Sequence, residues 1–319
     1  MQRYLIRRLL TAIPTLLLIS FVLYAILALA PGDPLSQFAA NPAVPPEVRE
    51  NIKRSLGLDQ PWPLRYVHWL GALTQGDWGF SFASRIPVWD LIKLRLPNTL
   101  AVVGVAFLLS LILAIPIGIV SAVKQYSVLD HVATAFAFIG FSVPTFFTGL
   151  ILIIILSVKL RLLPFIYDST LQVRDVASFG QEVKQAIMPI TVLALFQTAT
   201  LVRFTRASML ENLPQDYVRT ARAKGLAEPS VINRHVVRNS LIPVVTLIAL
   251  SAPGVFSGAL ITEQIFRVPG IGALLIDSIL NSDTPVVMAI TFTFSILVVF
   301  FNLIADIIYG VLDPRLRYD

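Results

Sequence analysis

Apolar positions along this chain are gathered into six long blocks that polar segments separate. Several of these blocks reach the roughly 20 residues that an α-helix needs to cross about 30 Å of hydrocarbon. The pattern therefore predicts six membrane-spanning helices, which we number in chain order. Their expected bounds are 9–30, 99–123, 132–158, 187–202, 241–261 and 286–309.

The polar segment between spans 1 and 2 predicts two short helices, because its apolar side chains recur at helical spacing. Neither is long enough to span, so we expect both on the outer face, with tryptophans at headgroup level. A lid over the bundle and a docking surface for a partner both fit this segment. The apolar set is Val48, Ile52 and Leu56, then Trp62, Tyr66, Trp69 and Leu70, and the four tryptophans are Trp62, Trp69, Trp78 and Trp89.

The polar segment between spans 4 and 5 carries the clearest helix signals. Pro214 suits the first helical position, Asp216 the first turn, and Gly225 a left-handed stop. Arg222 and Lys224 fall in the last turn, so a helix is predicted over 214–224. A second helix start at 229 continues into span 5.

A short helix held between two spans, with charged side chains projecting, has the shape of an element that sits in the groove of a soluble partner. Tyr217, Arg219 and Arg222 are the projecting side chains. The alternative is a solvated basic loop held by anionic lipid headgroups.

Composition agrees with a membrane protein. The chain is 56% hydrophobic and 14% charged, and its mean hydropathy is +0.77, which is far too apolar for an ordinary soluble domain. The net charge of +6 does not indicate nucleic-acid binding, because the basic residues border the apolar blocks. With the N-terminus in the cytoplasm, the short inner segments hold Arg3, Arg7, Arg8, Lys124, Arg203, Arg206, Arg219, Arg222, Lys224, Arg234, Arg238, Arg315 and Arg317. This distribution follows the positive-inside rule and places both termini in the cytoplasm.

Catalytic motifs are missing from the sequence: there is no phosphate-binding Gly-Lys-Ser/Thr loop, no His-Glu-x-x-His and no Gly-x-Ser-x-Gly. There is no cysteine, and the three histidines fall in separate segments, so we expect no catalytic residue and no metal site. The spans hold almost no ionisable residues, whereas ion-coupled carriers usually place them at membrane depth. The driving energy is therefore expected from another polypeptide, with an ion-coupled carrier and a non-transporting scaffold as the rival classes.

Proline and glycine inside the spans suit a water-lined path, where cavity water can satisfy loosened backbone groups. Pro144, Gly254, Gly258 and Glu263 are the candidate path or gate positions, and close helix packing is the alternative for the two glycines. Glu263 and Asp277, near the outer ends, are candidates to meet a substrate's amino terminus or a partner's lysine. Ordinary solvated loop charges are the alternative for both.

Several motifs together resemble permease subunits of ABC importers for dipeptides and oligopeptides, over nearly the whole chain. They are Asp216-Tyr-Val-Arg-Thr-Ala-Arg-Ala-Lys-Gly225, Arg238-Asn-Ser-Leu-Ile-Pro-Val-Val245, Arg7-Arg-Leu-Leu10, Pro31-Gly-Asp-Pro34, Leu56-Gly-Leu-Asp-Gln-Pro61, Gly76-Asp-Trp-Gly79, Arg206-Ala-Ser-Met-Leu210, and Thr262-Glu-Gln-Ile-Phe266 with Pro269-Gly270. In the general importer pattern this loop reads Glu-Ala-Ala, three residues, then Gly. In this chain Arg219-Thr-Ala221 takes the place of Glu-Ala-Ala, as in the peptide branch, and Pro243 lies farther from Gly225 than in the general pattern.

The resemblance implies an all-α integral membrane protein of the type I importer class, with about six transmembrane helices, an outer interfacial helical segment and a cytoplasmic coupling helix. It divides the chain into a tail with the first span (1–30), a scoop-like outer segment (31–98), and a permease core (99–319) whose coupling loop is 203–240. The implied location is the bacterial plasma (inner) membrane.

The implied partners are a second homologous permease, two ABC ATPase subunits, an extracytoplasmic solute-binding protein and membrane lipid. ATP and Mg²⁺ would be bound by the ATPases, and this chain would carry no cofactor. The implied substrates are di- or oligopeptides, with glutathione or a nickel chelate as alternatives. The residues implied for ATPase coupling are Asp216, Tyr217, Arg219, Thr220, Ala221, Arg222, Lys224 and Gly225, and those for contact with the binding protein are Asp33, Trp62, Trp69, Asp77 and Trp78.

Overall fold

A computed structural model describes residues 2–29, 57–257 and 259–312, together with 47, 50, 51 and 54. Within these residues all regular structure is helical, apart from one isolated bridge between Phe80 and Pro87. The all-α prediction is therefore confirmed. The helices are α1 (Gln2–Leu29), α2 (Trp62–Thr74), α3 (Val88–Thr99), α4 (Val105–Val123), α5 (Val128–Ser142), α6 (Thr145–Leu152), α7 (Val176–Asn212), α8 (Asp216–Ala223), α9 (Glu228–Ser230), α10 (Arg238–Ser257), α11 (Leu260–Phe266), α12 (Ile271–Leu280) and α13 (Thr284–Leu312).

The part of the chain that the structure describes also contains three π-helical stretches: Leu100–Gly104 between α3 and α4, Ile153–Lys159 after α6, and Val231–Val237 between α9 and α10. Four helical stretches of the described chain are long and apolar enough to cross a membrane, and a bent pair makes a fifth if it is counted as one span. They are Leu10–Leu29, Val88–Val123, Val176–Asn212, Thr284–Ile304, and the pair Val128–Ser142 with Thr145–Lys159. Predicted spans 1, 2, 3, 4 and 6 fall on these stretches.

The predicted span 241–261 falls on α10 and the start of α11, with residue 258 outside the described residues. That this segment crosses a membrane stays a prediction.

The helices of spans 2 and 4 are longer than the predicted bounds of 99–123 and 187–202. An apolar block marks only the part of a helix that hydrocarbon can surround, whereas the helix itself begins where its first N–H groups are capped. For α7 that point is a capping box: Asp175 Oδ1 accepts from the Ser178 N–H at 2.7 Å, and the Asp175 N–H donates to Ser178 Oγ at 3.0 Å.

Span 3 is not the continuous helix predicted over 132–158. The chain bends by 103° between α5 and α6. Pro144 lacks an N–H and its ring crowds the residue before it, so Val143 is extended (φ −88°, ψ 123°) and Pro144 becomes the N-cap of α6. The span is therefore broken at Pro144 rather than continuous, and a role of Pro144 in a path or gate stays a prediction.

The chain forms two compact units, and the first contains residues 1–97 and 270–303. In its described part, aromatic rings join α1, α2 and α13. Tyr66 packs edge-on against Phe21 at 5.4 Å between ring centroids, and Trp69 packs edge-on against Phe292 at 5.5 Å. The Tyr66 hydroxyl also lies 2.9 Å from Ser20 Oγ.

The second unit contains residues 98–269 and 304–319, and α4 packs on α7 within it. One face of α4 buries a small residue at every fourth position, which lets the two helices approach closely. These residues are Ala106, Ser110, Ala114, Gly118 and Ala122. A methyl group added to Gly118 would lie only 2.6 Å from Thr205 Cβ. The predicted division at 30/31 and 98/99 stays a prediction.

Candidate functional site

Helix α8 forms much as the sequence predicts, with a later start. It begins at Asp216 rather than Pro214, because the Gln215 N–H bonds to the Asn212 carbonyl at 3.2 Å and closes a turn first. Gly225 has φ +77°, and its N–H reaches the Arg222 carbonyl at 2.9 Å. A residue with a Cβ is strained at that φ, so the predicted glycine stop is confirmed.

The inner face of α8 is anchored in a hydrophobic socket. Val218 is fully buried and Ala221 is 4% exposed. They pack in one cluster with Ala122 from α4, Met209 from α7, and Val231 and Val236 from the following π-helical stretch, and these last four residues form what we call the socket. Burial of the two side chains ties α8 to the ends of three helical segments.

The outer face of α8 is polar and exposed. Arg222 donates to Glu228 at 2.6 Å, and Arg219 lies 3.4 Å from Asp216. The hydrogen bond from Arg222 lowers the pKa of Glu228, and the same bond raises the pKa of Arg222. The exposed side chains of the predicted coupling set are Asp216, Tyr217, Arg219, Thr220, Arg222 and Lys224. Ala221, also in that set, belongs to the socket face instead.

Beside the socket lies an ion pair with a buried carboxylate, which the sequence did not predict. Asp130 at the start of α5 is 3% exposed, and its carboxylate receives two hydrogen bonds from Arg206 of α7, at 2.7 and 2.9 Å. Ser121 and Thr134 also donate to this carboxylate. The sequence did contain a local signal for the start of α5. Ser127 is the N-cap of this helix and stands three residues before the acidic Asp130.

The bend at Pro144 borders an apolar cavity of about 230 Å³ in the second unit. It is lined by Phe136, Ile139, Gly140, Val143, Thr145, Thr148, Ile151, Leu152, Val192, Leu195 and Phe196. Of the other candidate path positions, Gly254 lies within α10 and Gly258 lies outside the described residues.

Glu263 is fully buried, so the solvated-charge alternative is wrong for this residue. Its Oε1 accepts from the Thr99 hydroxyl at 2.8 Å. Asn98 next to Thr99 donates to the Pro269 carbonyl at 3.0 Å, so residues 98–99 hold α11 and the segment after it. Asp277, by contrast, is exposed on α12. Within the described ranges no group of three or more His, Asp or Glu side chains is placed to hold a metal ion.

The residues predicted to contact a binding protein are held by contacts inside the first unit. Trp62 packs on Phe21 at 5.6 Å, and Trp78 stacks on Trp89 at 5.5 Å. Trp69 also packs among neighbouring rings, as described above, and all three predicted tryptophans are half-buried. Among the described members of this set Asp77 is the exposed one, and it accepts from the Gly79 N–H at 2.8 Å. Asp33 lies outside the described residues.

The first unit also contains a buried carboxylate that the sequence did not predict. We call this carboxylate, and that of Asp130, acidic anchors because each is buried and holds neighbouring segments by hydrogen bonds. Asp283 is 2% exposed and accepts from Ser81 Oγ at 2.5 Å and from the Phe82 and Ala83 N–H groups at 3.0 and 3.2 Å. It therefore fixes the loop between α2 and α3. No local sequence pattern predicts the burial of Asp283, because its hydrogen-bond donors lie about 200 positions earlier in the chain.

Comparison with known proteins assigns both halves of the chain to the same kind of system. A family model described as the inner membrane component of binding-protein-dependent transport systems matches residues 114–318, and a model of the N-terminal part of such membrane components matches residues 1–103. The chain is similar to the oligopeptide transport system permease protein AppB of Bacillus subtilis (strain 168), with 43% identity over all of both chains. It is 37% identical to the dipeptide transport system permease protein DppB of Escherichia coli (strain K12), over 100% of this chain and 99% of that one. It is also 36% identical, over 100% of both chains, to the glutathione transport system permease protein GsiC of Escherichia coli O1:K1 / APEC.

Proposed function

This chain belongs to the family of inner membrane components of binding-protein-dependent transport systems, and we propose that it forms half of the translocation path of a bacterial ABC importer for di- or oligopeptides. It is a multi-pass membrane permease subunit. Full-length similarity to permeases named for oligopeptide and dipeptide transport supports the peptide substrate.

The observation that carries the mechanism is α8, a short helix whose apolar face is locked in a socket while its charged face is exposed. Such a helix can receive a push from a soluble partner and pass it to the helices around the socket. We propose that two separate ATPase subunits, which bind ATP and Mg²⁺, hold this exposed face. Their closure moves α8 and thereby alternates access to the path.

The remaining parts of the assembly are a second homologous permease, which completes the path, and a solute-binding protein on the outer side. The exposed Asp77 and the tryptophan-rich segment around it support an outer contact. The distribution of Lys and Arg supports cytoplasmic termini, and with that orientation α8 would lie on the side of the ATPases.

Charge reversal on α8 tests this proposal. In the reconstituted complex, the double change Arg219→Glu and Arg222→Glu should lower ATP-driven uptake of a labelled dipeptide about tenfold, the effect of losing roughly 1.4 kcal/mol at an interface. ATP hydrolysis should continue, and the complex should still reach the membrane. Gly225→Pro should act in the same way, because it removes the N–H that closes the helix.

The matched control is Lys93→Glu, which reverses an exposed charge in the first unit and should leave uptake unchanged. Normal coupled uptake in both α8 variants would overturn the proposed role of α8. Uptake by this chain in liposomes without any ATPase would indicate an ion-coupled carrier instead.

Glutathione is the second candidate substrate, because the chain is also similar over its full length to a permease named for glutathione transport. Competition in the same assay separates the two. Unlabelled di- and oligopeptides should displace the labelled dipeptide, whereas displacement by glutathione alone would favour the second candidate.

A further inference from the structure

The ion pair between Asp130 and Arg206 joins three helices next to the socket of α8. The hydroxyl of Ser121, at the end of α4, donates to the carboxylate of Asp130, at the start of α5. Arg206, near the end of α7, donates to both oxygens of that carboxylate. The Tyr126 N–H donates to Oδ2 at 3.0 Å, so the turn between α4 and α5 is held as well.

Both ends of this network adjoin walls of the socket. Ser121 precedes Ala122, and Arg206 stands one helical turn before Met209, while Ala122 and Met209 both pack with Val218 and Ala221. Thr205, beside Arg206, meets α4 at Gly118. The ion pair and the socket therefore occupy the same level of the same helices.

The two kinds of contact constrain the helices differently. Apolar packing at the socket is non-directional, so it resists separation of α8 from its neighbours more than it resists rotation of the neighbours about their own axes. A fork of two hydrogen bonds between a guanidinium and a carboxylate has a defined geometry, and rotation of α5 or α7 breaks it.

We propose that Asp130 and Arg206 are positioning residues for energy coupling: they fasten the inner ends of α4, α5 and α7 to one another, so that a displacement of α8 moves these helices as one body. This inference rests on the proposed function, in which α8 receives the motion of the ATPases. The role we assign to them requires no contact with substrate or ATP. Their effect is on how much of the α8 motion reaches the path.

The test uses the full complex in proteoliposomes and measures ATP hydrolysis and labelled-dipeptide uptake side by side. Asp130→Asn keeps the shape of the side chain and removes its charge, and Arg206→Lys keeps the charge and removes the fork. Each should lower uptake about tenfold while ATP hydrolysis per folded complex stays within about twofold. The number of ATP molecules hydrolysed per peptide imported therefore rises.

A merely structural role predicts a different result, in which uptake and hydrolysis fall together in proportion to the amount of folded complex. That outcome, or an unchanged ratio, would overturn the inference. The control is Asp90→Asn, which removes an exposed ion pair with Lys93 and should leave the ratio unchanged. If the wild-type complex imports no peptide, the proposed function fails rather than this inference.

A spectroscopic measurement keeps the inference testable if a variant assembles poorly. The chain contains no cysteine, so spin labels can be placed freely. One label goes at Ala223→Cys, an exposed position of α8 outside the predicted coupling set, and the other at Val132→Cys on an exposed position of α5. In the wild type the distance between them should stay constant on nucleotide binding, because α8 and α5 move together.

In Ser121→Ala, the mildest change to the network, or in Arg206→Lys, that distance should change on nucleotide binding. A distance that stays constant in these variants would show that the ion pair is not what joins α5 to α8, and the inference would fall.

Discussion

Within each of the two units, the helices pack together through side chains of different size. In the second unit, α4 and α7 meet through small residues, with Gly118 against Thr205. In the first unit, α1, α2 and α13 meet through large rings, with Trp69 against Phe292 and Tyr66 against Phe21. Each unit also buries an acidic anchor, which is paired with a cation at Asp130 and with neutral donors at Asp283.

The difference teaches where this protein can be stiff. Small residues bring two backbones together and leave few atoms that can adjust, so they fix the register of a helix pair. Aromatic rings fill space with side chains that have several rotamers, so a ring cluster can absorb small shifts. The second unit, which contains α8, is therefore the one whose helices keep a fixed register. A fixed register is what α8 needs if its displacement is to move the neighbouring helices.

The largest effect is expected at the small-residue contact. A Cβ at position 118 would lie 2.6 Å from Thr205 Cβ and 3.1 Å from the Val202 carbonyl oxygen, which is backbone and cannot move aside. Gly118→Val should therefore lower the free energy of unfolding by roughly 3 kcal/mol, at the upper end of overpacking costs. Thermal unfolding in mild detergent measures it. Gly104→Val is the matched control, because a Cβ there meets no atom within 4 Å, and equal losses in both variants would refute the contact.

The acidic anchor of the first unit comes next. In Asp283→Asn an amide that donates would replace one of the oxygens that accept from Ser81, Phe82 and Ala83. We expect a loss of about 2 kcal/mol, since a buried donor is left without an acceptor. Protease cleavage within 80–87 should speed up, which peptide mapping detects. Asp59→Asn, at an exposed carboxylate, should leave both the stability and the cleavage rate unchanged. An unchanged cleavage rate at 80–87 in Asp283→Asn would show that another contact holds this loop.

The ring cluster should give a smaller, measurable coupling. In a double-mutant cycle of Trp69→Leu and Phe292→Leu, the interaction free energy should be about 1 kcal/mol, as edge-on aromatic pairs typically contribute. Chemical unfolding of the four proteins gives this value. If the two single changes in unfolding free energy are strictly additive, the rings are neighbours without a specific interaction. The ring cluster would then differ even more from the tightly fitted contact between Gly118 and Thr205.

The smallest effect concerns pH at the exposed end of α8. Because Arg222 lowers the pKa of Glu228 in the folded chain, the ion pair orders this loop above the ordinary pKa range of glutamate. That order is lost as the pH falls through this lowered pKa, so the change lies in acid solution, below the ordinary pKa of glutamate. A spin label at Ala227→Cys should become more mobile there. Glu228→Gln should abolish the pH dependence, and a transition that persists in it would assign the change to another group.

Local signals were sufficient for much of the fold and for α8. The apolar blocks predicted the helices, and Pro144 and Gly225 act as their backbone chemistry requires. Those signals operate within a few residues, so a sequence carries them directly. The helical stretch Val88–Val123 and α7 extend beyond the predicted spans 99–123 and 187–202, because caps and tertiary packing extend helices beyond the residues that need hydrocarbon.

By itself the sequence determined the all-helical class, the positions of most of the long apolar helices, the left-handed stop after α8 and the motifs of the family. Only the tertiary structure decided that Glu263 is buried, that Ala221 faces the socket, and that Asp130 meets Arg206 across 76 positions of chain. The physical reason is that helix formation and chain reversal depend on neighbours in sequence, whereas the burial and pairing of a charge depend on which distant helices arrive beside it.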